Sequence, residues 1–582
     1  MTPWAFLDGY RDKTFSGRWP TIPRLFEITC SRFPENPCFT AFEPETIHLD
    51  YRTVLDHVRG VARYLKERGI RKGDRVAVTG KNSPEWAIAY LGVLFAEAVV
   101  VPIDYQLKDA EIAGLIALSG AKMLFVDEER FDELSPNGKR QKGSILLGVV
   151  SLSPVRKPYV LDLRSDEKVE LFSGAGLPTD AKELAAILYT SGTTGHAKGV
   201  MLTHENLVSD SILSQSLISV LPTDVFYALL PIHHSYTMLA VFIEAMATGA
   251  SVVFAKRMAV KQILSDLKRG KITMLLGIPM LFNKLLKGIL HGIREKGGLV
   301  YSLISALMSI SGTIKKVLKV NPGKVLFGAV LKQASLDRIR VCICGGGPLP
   351  PETFRKFNQL GINFVQGYGL TETSPIVTLN PTDHYKESSV GKVIPEIEVR
   401  IADPDEQGIG EILVRGSIVM QGYYQNDEAT AEAFTKDGYL KTGDVGFLDD
   451  ENYLYLTGRK KNMIVTEGGK NVFPEEIEDL FQLYEEIEQV LVKGYIKDTA
   501  MQIEAIEALV FPSFDYLREA AQKAGRTADD EYVKDRIDEV IAQVNQQLLP
   551  YKRISRSTVL SEAMEETTTK KIKRFTVTAD SQ

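Results

Sequence analysis

The sequence predicts an α/β protein. A large N-terminal domain of parallel-rich sheets with helices is joined by a hinge to a small α+β C-terminal domain. Three observations predict this. The chain has 582 residues, too many for one compact core. Short apolar runs alternate with helical patterns along most of it. Beyond residue 458 that rhythm gives way to a highly charged α+β stretch.

The elements follow in order. DRVAVTG at 74–80 is a buried strand, PEWAIAYLGVLFAEA after it has helical spacing, and VVVPID is the next strand. KMLFVD, SVVFA and MLLGIP repeat the pattern, as crossovers between parallel strands require. Residues 283–335 differ: they carry nine Lys/Arg and one acid, Glu295, among many Leu, Ile and Val. Such a stretch suits an anionic membrane surface. It also suits a pair of docked helices with solvated lysines. Within it, 297–314 approaches the length of a membrane span, but four serines and three glycines weaken its hydrophobicity. A buried or interfacial helix is the expectation there. Near the end, NYLYLTGRKKNMIVTEGGKNVFPEEIEDL reads as strands, a Gly-Gly turn and a helix opened by Pro474, with Glu475 and Glu476 in its first turn. The expected division is 1–457 for the large domain, 458–461 for the hinge and 462–582 for the small mobile domain.

Composition narrows the function. Apolar residues make up 44% and charged residues 25%, an ordinary globular balance. A net charge of −5 provides no field for nucleic acid. The four cysteines, Cys30, Cys38, Cys342 and Cys344, lack zinc-like spacing and imply no disulfide framework. A cytoplasmic location is expected, with peripheral contact at the inner membrane surface through 283–335. The start, MTPWAFLDGYRDK, lacks the charged-then-apolar pattern of a signal sequence.

The sharpest chemical signal is ILYTSGTTGHAKGVMLTHENL at 187–207. An apolar strand runs into hydroxyls and glycines, then a lysine, then a helix capped by Thr203 or His204. Gly192 and Gly195 allow tight turns in which backbone N–H groups converge on phosphate oxygens. Thr190, Ser191, Thr193 and Thr194 add hydroxyl donors, and Lys198 adds charge. A generic surface turn has no need of so many. The loop is not GxxxxGK followed by Ser or Thr, which disfavours a P-loop kinase.

This stretch resembles the phosphate loop of the acyl-adenylate-forming superfamily, and the superfamily's other motifs follow in order. The resemblance runs from about Thr21 to Phe575 and is strongest to long-chain fatty acid–CoA ligases. It implies a site built from ATP, magnesium and coenzyme A contacts. CGGGPLP, with Gly346, Gly347 and Pro348, corresponds to the turn beside adenine. QGYGLTE follows, with Gln366, Gly367, Tyr368 and Gly369. The resemblance assigns Tyr368 to stacking on adenine, Thr371 to the α-phosphate and Glu372 to magnesium, and a hard carboxylate suits that ion. Asp444 of KTGD would take the ribose hydroxyls, with Arg459 beside it. Lys461 matches the hinge residue, and Gly468 and Gly469 the strand that approaches pantetheine. His234 matches a Pro-x-x-His at the mouth of the acyl pocket, with Pro231 selecting it over His233. In TTTKKIKRF, alignment on KIKR makes Lys571 the catalytic lysine. The commonest family form has Gly immediately before it, where this chain has Lys570, a departure shared with the long-chain branch.

The implied reaction joins a carboxylic acid to AMP with loss of pyrophosphate, then passes the acyl group to CoA. A medium- or long-chain fatty acid is the expected substrate. An aromatic or alicyclic acid, or a carrier-protein thiol as acceptor, are the alternatives. The acyl pocket is expected around 238–242, 275–282 and Ile343.

Overall fold

The computed structural model describes residues 3–134, 146–164, 177, 180–191, 197–466, 470–498, 503–567 and 571–574. Two large sheets organise most of them. In the seven-stranded sheet, Leu184–Ser191, Val99–Ile103, Arg75–Thr79, Met123–Val126 and Gly148–Ser151 lie parallel side by side. Buried parallel strands read as unbroken apolar runs, and every residue of Val99–Ile103 is buried. Ala197–Thr203 turns back antiparallel on Leu184–Ser191, and Gly422–Tyr423 extends that edge.

The thirteen-stranded sheet is mixed. Its parallel centre holds Pro37–Ala41, Ser251–Phe254, Val225–Ala228, Met274–Gly277, Val341–Cys344 and Asn363–Tyr368. From Asn363–Tyr368 it continues through antiparallel strands, including Leu440–Leu448 and Tyr453–Arg459. Cys342 and Cys344 are buried within Val341–Cys344, and all four cysteines are free and buried. Helix Pro84–Phe95, capped by Ser83, packs against strands of both sheets, which explains why all twelve of its residues are buried and apolar residues occupy every side.

The C-terminal stretch has its own sheet. Ile487–Asp498 and Ile503–Pro512 form a hairpin, joined by the parallel strand Arg556–Val559. Helices Pro474–Phe481, Phe514–Lys523 and Asp530–Gln547 accompany it. Val492, Ile506, Val510, Ile537 and Val544 make a core separate from the cores of the two large sheets.

Helix Gly298–Leu318 reverses the usual arrangement. Met308, Ser311 and Lys315 face inward, and Lys315 Nζ donates to Asn358 Oδ1 (2.8 Å) and to the Ile362 carbonyl (3.2 Å). Leu299 is 90% exposed, and Leu303, Ile310 and Val317 are exposed on the outward side. A buried segment is one expectation here; the structure instead places its leucines in solvent and one of its two lysines, Lys315, inside. By length and composition this helix is apolar enough to cross a membrane.

Candidate functional site

The expected nucleotide residues gather where the central parallel strands of the large sheet end. Val341–Cys344 and Asn363–Tyr368 are paired in register, Cys344 against Gln366. Their ends lead into the 345–347 and 369–370 turns. Gly346 adopts φ +79°, a conformation that favours glycine. At Gly369 an added Cβ would lie 1.5 Å from the Pro375 carbonyl oxygen, so only glycine fits. The expected Gly347 lies in the first of these turns, Pro348 directly follows it, and Gly367 is still within strand Asn363–Tyr368.

Asp444 is the anchor of this end. It faces Arg459 across the antiparallel pair formed by Leu440–Leu448 and Tyr453–Arg459. Arg459 Nε lies 2.9 Å from Asp444 Oδ1, and Tyr368 Oη donates to Asp444 Oδ2 at 2.8 Å. Burial and then the Asp444 carboxylate push the Tyr368 phenol well up, so the phenol stays a donor. Strand register thus brings two expected residues, Arg459 and Tyr368, onto one buried carboxylate, that of Asp444.

Thr371 and Glu372 sit on a single 3₁₀ turn, Thr371–Thr373. The Thr371 hydroxyl is 3.0 Å from that of Ser235. Tyr423 Oη donates to Glu372 Oε1 at 3.1 Å, and Lys198 Nζ stands 4.9 Å from the centroid of the same tyrosine ring. Tyr423 therefore joins the lysine of the expected phosphate-loop hairpin to the expected magnesium residue. Among the described residues Glu372 forms no ion pair. A carboxylate without a cationic side-chain partner suits a magnesium ion carried by ATP phosphates.

The hairpin itself is described at its stems. Thr190 pairs with Lys198 and Ser191 with Ala197, and the Thr203 side chain caps helix His204–Ser214 by accepting from Asn206 N. Gly192, Thr193, Thr194 and Gly195 lie outside the described residues, as do Gly468, Gly469 and Lys570.

His234 adjoins His233, with ring centroids 4.3 Å apart, and His233 Nε2 lies 3.4 Å from Asp104 Oδ1. Burial, then the His233 imidazole, pushes His234 down to about 3; Asp104 opposes this and Lys571 adds to it. His234 is therefore neutral near pH 7, a poor acid but a good hydrogen-bonding group.

Lys571 reaches this place from the far end of the chain. Glu566 and Ile572 bridge as an antiparallel pair, and Lys571 N donates to Thr567 Oγ1 at 3.1 Å. The resulting hairpin brings the lysine within electrostatic range of Arg459, Asp444 and His234. Desolvation and then the Arg459 guanidinium lower its pKa, while Asp444 opposes them. Arg574 pins the hairpin, donating to the Val492 carbonyl (3.0 Å) and to Glu478 on helix Pro474–Phe481. Lys461, in the 3₁₀ turn Lys460–Asn462, is lowered by desolvation and then by Arg459 and Arg574.

The Gln482 side chain ties the C-terminal unit to the expected adenine turn. Gln482 Nε2 donates to the Pro348 carbonyl (3.2 Å), and its Oε1 accepts from Asn283 Nδ2 (3.2 Å). Gln482, Tyr423, Ser235 and Arg574 escaped the sequence reading. None has a local signal of its own; each acts through a partner more than fifty residues away.

A cavity of about 30 Å³ lies behind Ile343, walled by Phe226, Ala240, Met274, Ile376 and Leu379, with Ser214 and Glu244 also lining it. Ala240 and Ile343 belong to the expected acyl lining. Met274 stands in for 275–282, because strand alternation turns Leu275 to the opposite face of the sheet, into another core.

The family profile described as "AMP-binding enzyme" matches residues 26–424. A long-chain fatty acid–CoA ligase of Mycobacterium bovis is 30% identical over 558 residues, covering 90% of this chain and 89% of the relative. A feruloyl-CoA synthase of an Amycolatopsis species is 28% identical, covering 82% of this chain and 85% of its own. Among solved structures, ATP-bound MatB from Rhodopseudomonas palustris aligns at a TM-score of 0.74 with 25% identity, over 96% of this chain and 99% of that one. The strand-end glycine turns, the shared Asp444 carboxylate and a match that spans most of the sequence lead to one conclusion: the chain belongs to the AMP-binding enzyme family.

Proposed function

We propose that this enzyme, an AMP-forming acid–CoA ligase, activates a medium- or long-chain fatty acid as its acyl-adenylate and transfers the acyl group to coenzyme A. The observation that carries the reading is the approach of Lys571 to Asp444, Arg459 and His234. A cation delivered to the ribose-binding carboxylate is well placed to offset charge at the α-phosphate.

In the first step a carboxylate oxygen of the acid attacks the α-phosphorus. The bond to the bridging oxygen breaks and pyrophosphate leaves. Lys571 and the Thr371 hydroxyl offset the charge that develops on the α-phosphoryl oxygens. Lys198 and the hairpin it flanks hold the β- and γ-phosphates. Glu372 would hold magnesium, which supplies further positive charge to the phosphates when bound. In the second step the CoA thiolate attacks the acyl carbon, the carbon–oxygen bond to AMP breaks, and AMP leaves.

The two steps need different neighbours at one carbonyl. Residues 1–457 and 462–582 are assigned to two domains, with Lys461 in the hinge between them, and rotation about it withdraws Lys571 before the thiol enters. The separate core that begins near Ile464 supports this division. Gly468 and Gly469 are assigned to the pantetheine path. Steady-state AMP release across aliphatic and aromatic acids, with free CoA or a holo-carrier protein as acceptor, tests the reading. Fatty acids with CoA should give the highest kcat/KM. A preference for feruloyl-type acids, to which the feruloyl-CoA synthase relative points, or for the carrier thiol, would replace it.

The substrate class agrees with the outward leucines of Gly298–Leu318. Lys316, Lys319 and Lys324 follow them in the sequence, a combination that suits an anionic bilayer surface on the cytoplasmic side. The protein should co-sediment with vesicles containing phosphatidylglycerol, and Leu303→Glu should release it. Equal recovery of both proteins in the supernatant would remove the membrane from this account.

A further inference from the structure

Glu244 is a charged residue type in a place with little use for charge. It is 6% exposed and lines the cavity behind Ile343. It follows directly on a π-helical turn, Met238–Ile243, inside an otherwise α-helical stretch. Turns of this kind add a residue to the helix and concentrate at functional sites. Here Ala240 and Glu244, four residues apart across the turn, both border the cavity.

Its carboxyl is only partly satisfied, with Ser211, Ser214 and Gln215 beside it. Glu244 Oε2 is buried and makes no hydrogen bond among the described residues, and neither does the Ser211 hydroxyl nearby. Burial pushes the Glu244 carboxyl up to about 8, against Ser211, Gln215 and Ser214, so it is largely protonated at neutral pH. Asp210, on the same helix as Ser214, accepts from Ile376 N at 2.8 Å and holds that cavity wall in place. A buried polar atom without a partner destabilises the fold, and a ligand group that bonds to it can remove that cost.

The cavity offers apolar sides from Phe226, Met274, Ile343 and Leu379, with Ser214 and Glu244 as its polar members. Its size admits a small group rather than a whole chain. We propose that Ser214 and Glu244 form a subsite for a hydroxyl or oxo group at the far end of the acid, so that the preferred substrate is an apolar acid oxygenated near its terminus. This rests on the acid–CoA ligase reading and names the substrate class of that site. The carboxyl can donate to an oxo oxygen and accept from a hydroxyl.

The test compares acids of equal length, unsubstituted or carrying a terminal hydroxyl, by kcat/KM for AMP release with CoA. The wild-type enzyme should favour the hydroxy acid by about tenfold or more, since a site built around a hydrogen bond rejects the analogue that lacks it. Glu244→Gln should keep that preference. Glu244→Met, which fills the space with an apolar chain, should reverse it, and Ser214→Ala should reduce it if the methionine variant does not fold. Indifference of the wild-type enzyme to the hydroxyl, or an unchanged preference in the methionine and alanine variants, overturns the subsite and leaves the ligase reading standing. Absence of AMP release with every acid would instead overturn the ligase reading.

Discussion

Asp444 and Lys571 converge on one place, but they are held by different means. Asp444 is fixed by strand register: it is buried, paired with Arg459 and bonded to Tyr368, all within one sheet. Lys571 rides on a short hairpin whose anchors, Arg574 to Glu478 and Val492, belong to the C-terminal unit. Through Gln482 that unit touches the turn proposed to flank adenine. The fixed half suits a task common to both chemical steps, holding the nucleotide. The carried half suits a task needed in one step and obstructive in the next.

Substitutions can break this contrast in order of severity. Asp444→Ala removes the buried acceptor of both Tyr368 and Arg459. Its kcat/KM for ATP should fall about 100- to 1,000-fold, and both half-reactions should suffer, because charged hydrogen bonds of ~1.5–3 kcal/mol each are lost. A defect confined to one half-reaction would deny that the carboxylate serves both. Arg574→Ala frees the hairpin without touching the nucleotide contacts. Adenylate formation, measured by pyrophosphate exchange, should drop about tenfold from lost positioning, with the ATP KM little changed. A large rise in that KM would instead make Arg574 part of the nucleotide site. Gln482→Ala loosens the tie between the two units. A loss of roughly two- to fivefold in adenylate formation, with thioester formation from supplied acyl-AMP undiminished, is the expected reading, the size of one neutral hydrogen bond. Equal slowing of both steps would show that Gln482 supports folding rather than one pose.

Much of the fold was legible because its strands are buried on both faces. VVVPI, MLFV, SVVF and MLLG show their burial as unbroken apolar runs. Local motifs also singled out Tyr368, Thr371, Glu372, Asp444 and Arg459, which the structure gathers at one end of the sheet, since turn chemistry is written in adjacent residues. Burial of long helices was harder to read. Pro84–Phe95 and Gly298–Leu318 are both apolar, yet one lies between sheets and the other turns its leucines to solvent. Apolar content says that a face must be covered, not by what. Pairings across long separations were invisible for the same reason. Nothing around Tyr423 announces Glu372, and nothing around Gln482 announces Pro348.

The most direct test of the account separates the two half-reactions in Lys571→Ala. Pyrophosphate exchange driven by the acid should fall about 100- to 1,000-fold, the scale for removing one stabilising charge from a transition state. Thioester formation from supplied acyl-AMP and CoA should stay within about twofold of the wild-type rate, because the proposed rotation withdraws the lysine in that step. Comparable loss in both, or retention of both, would contradict the division between a fixed nucleotide site and a delivered lysine.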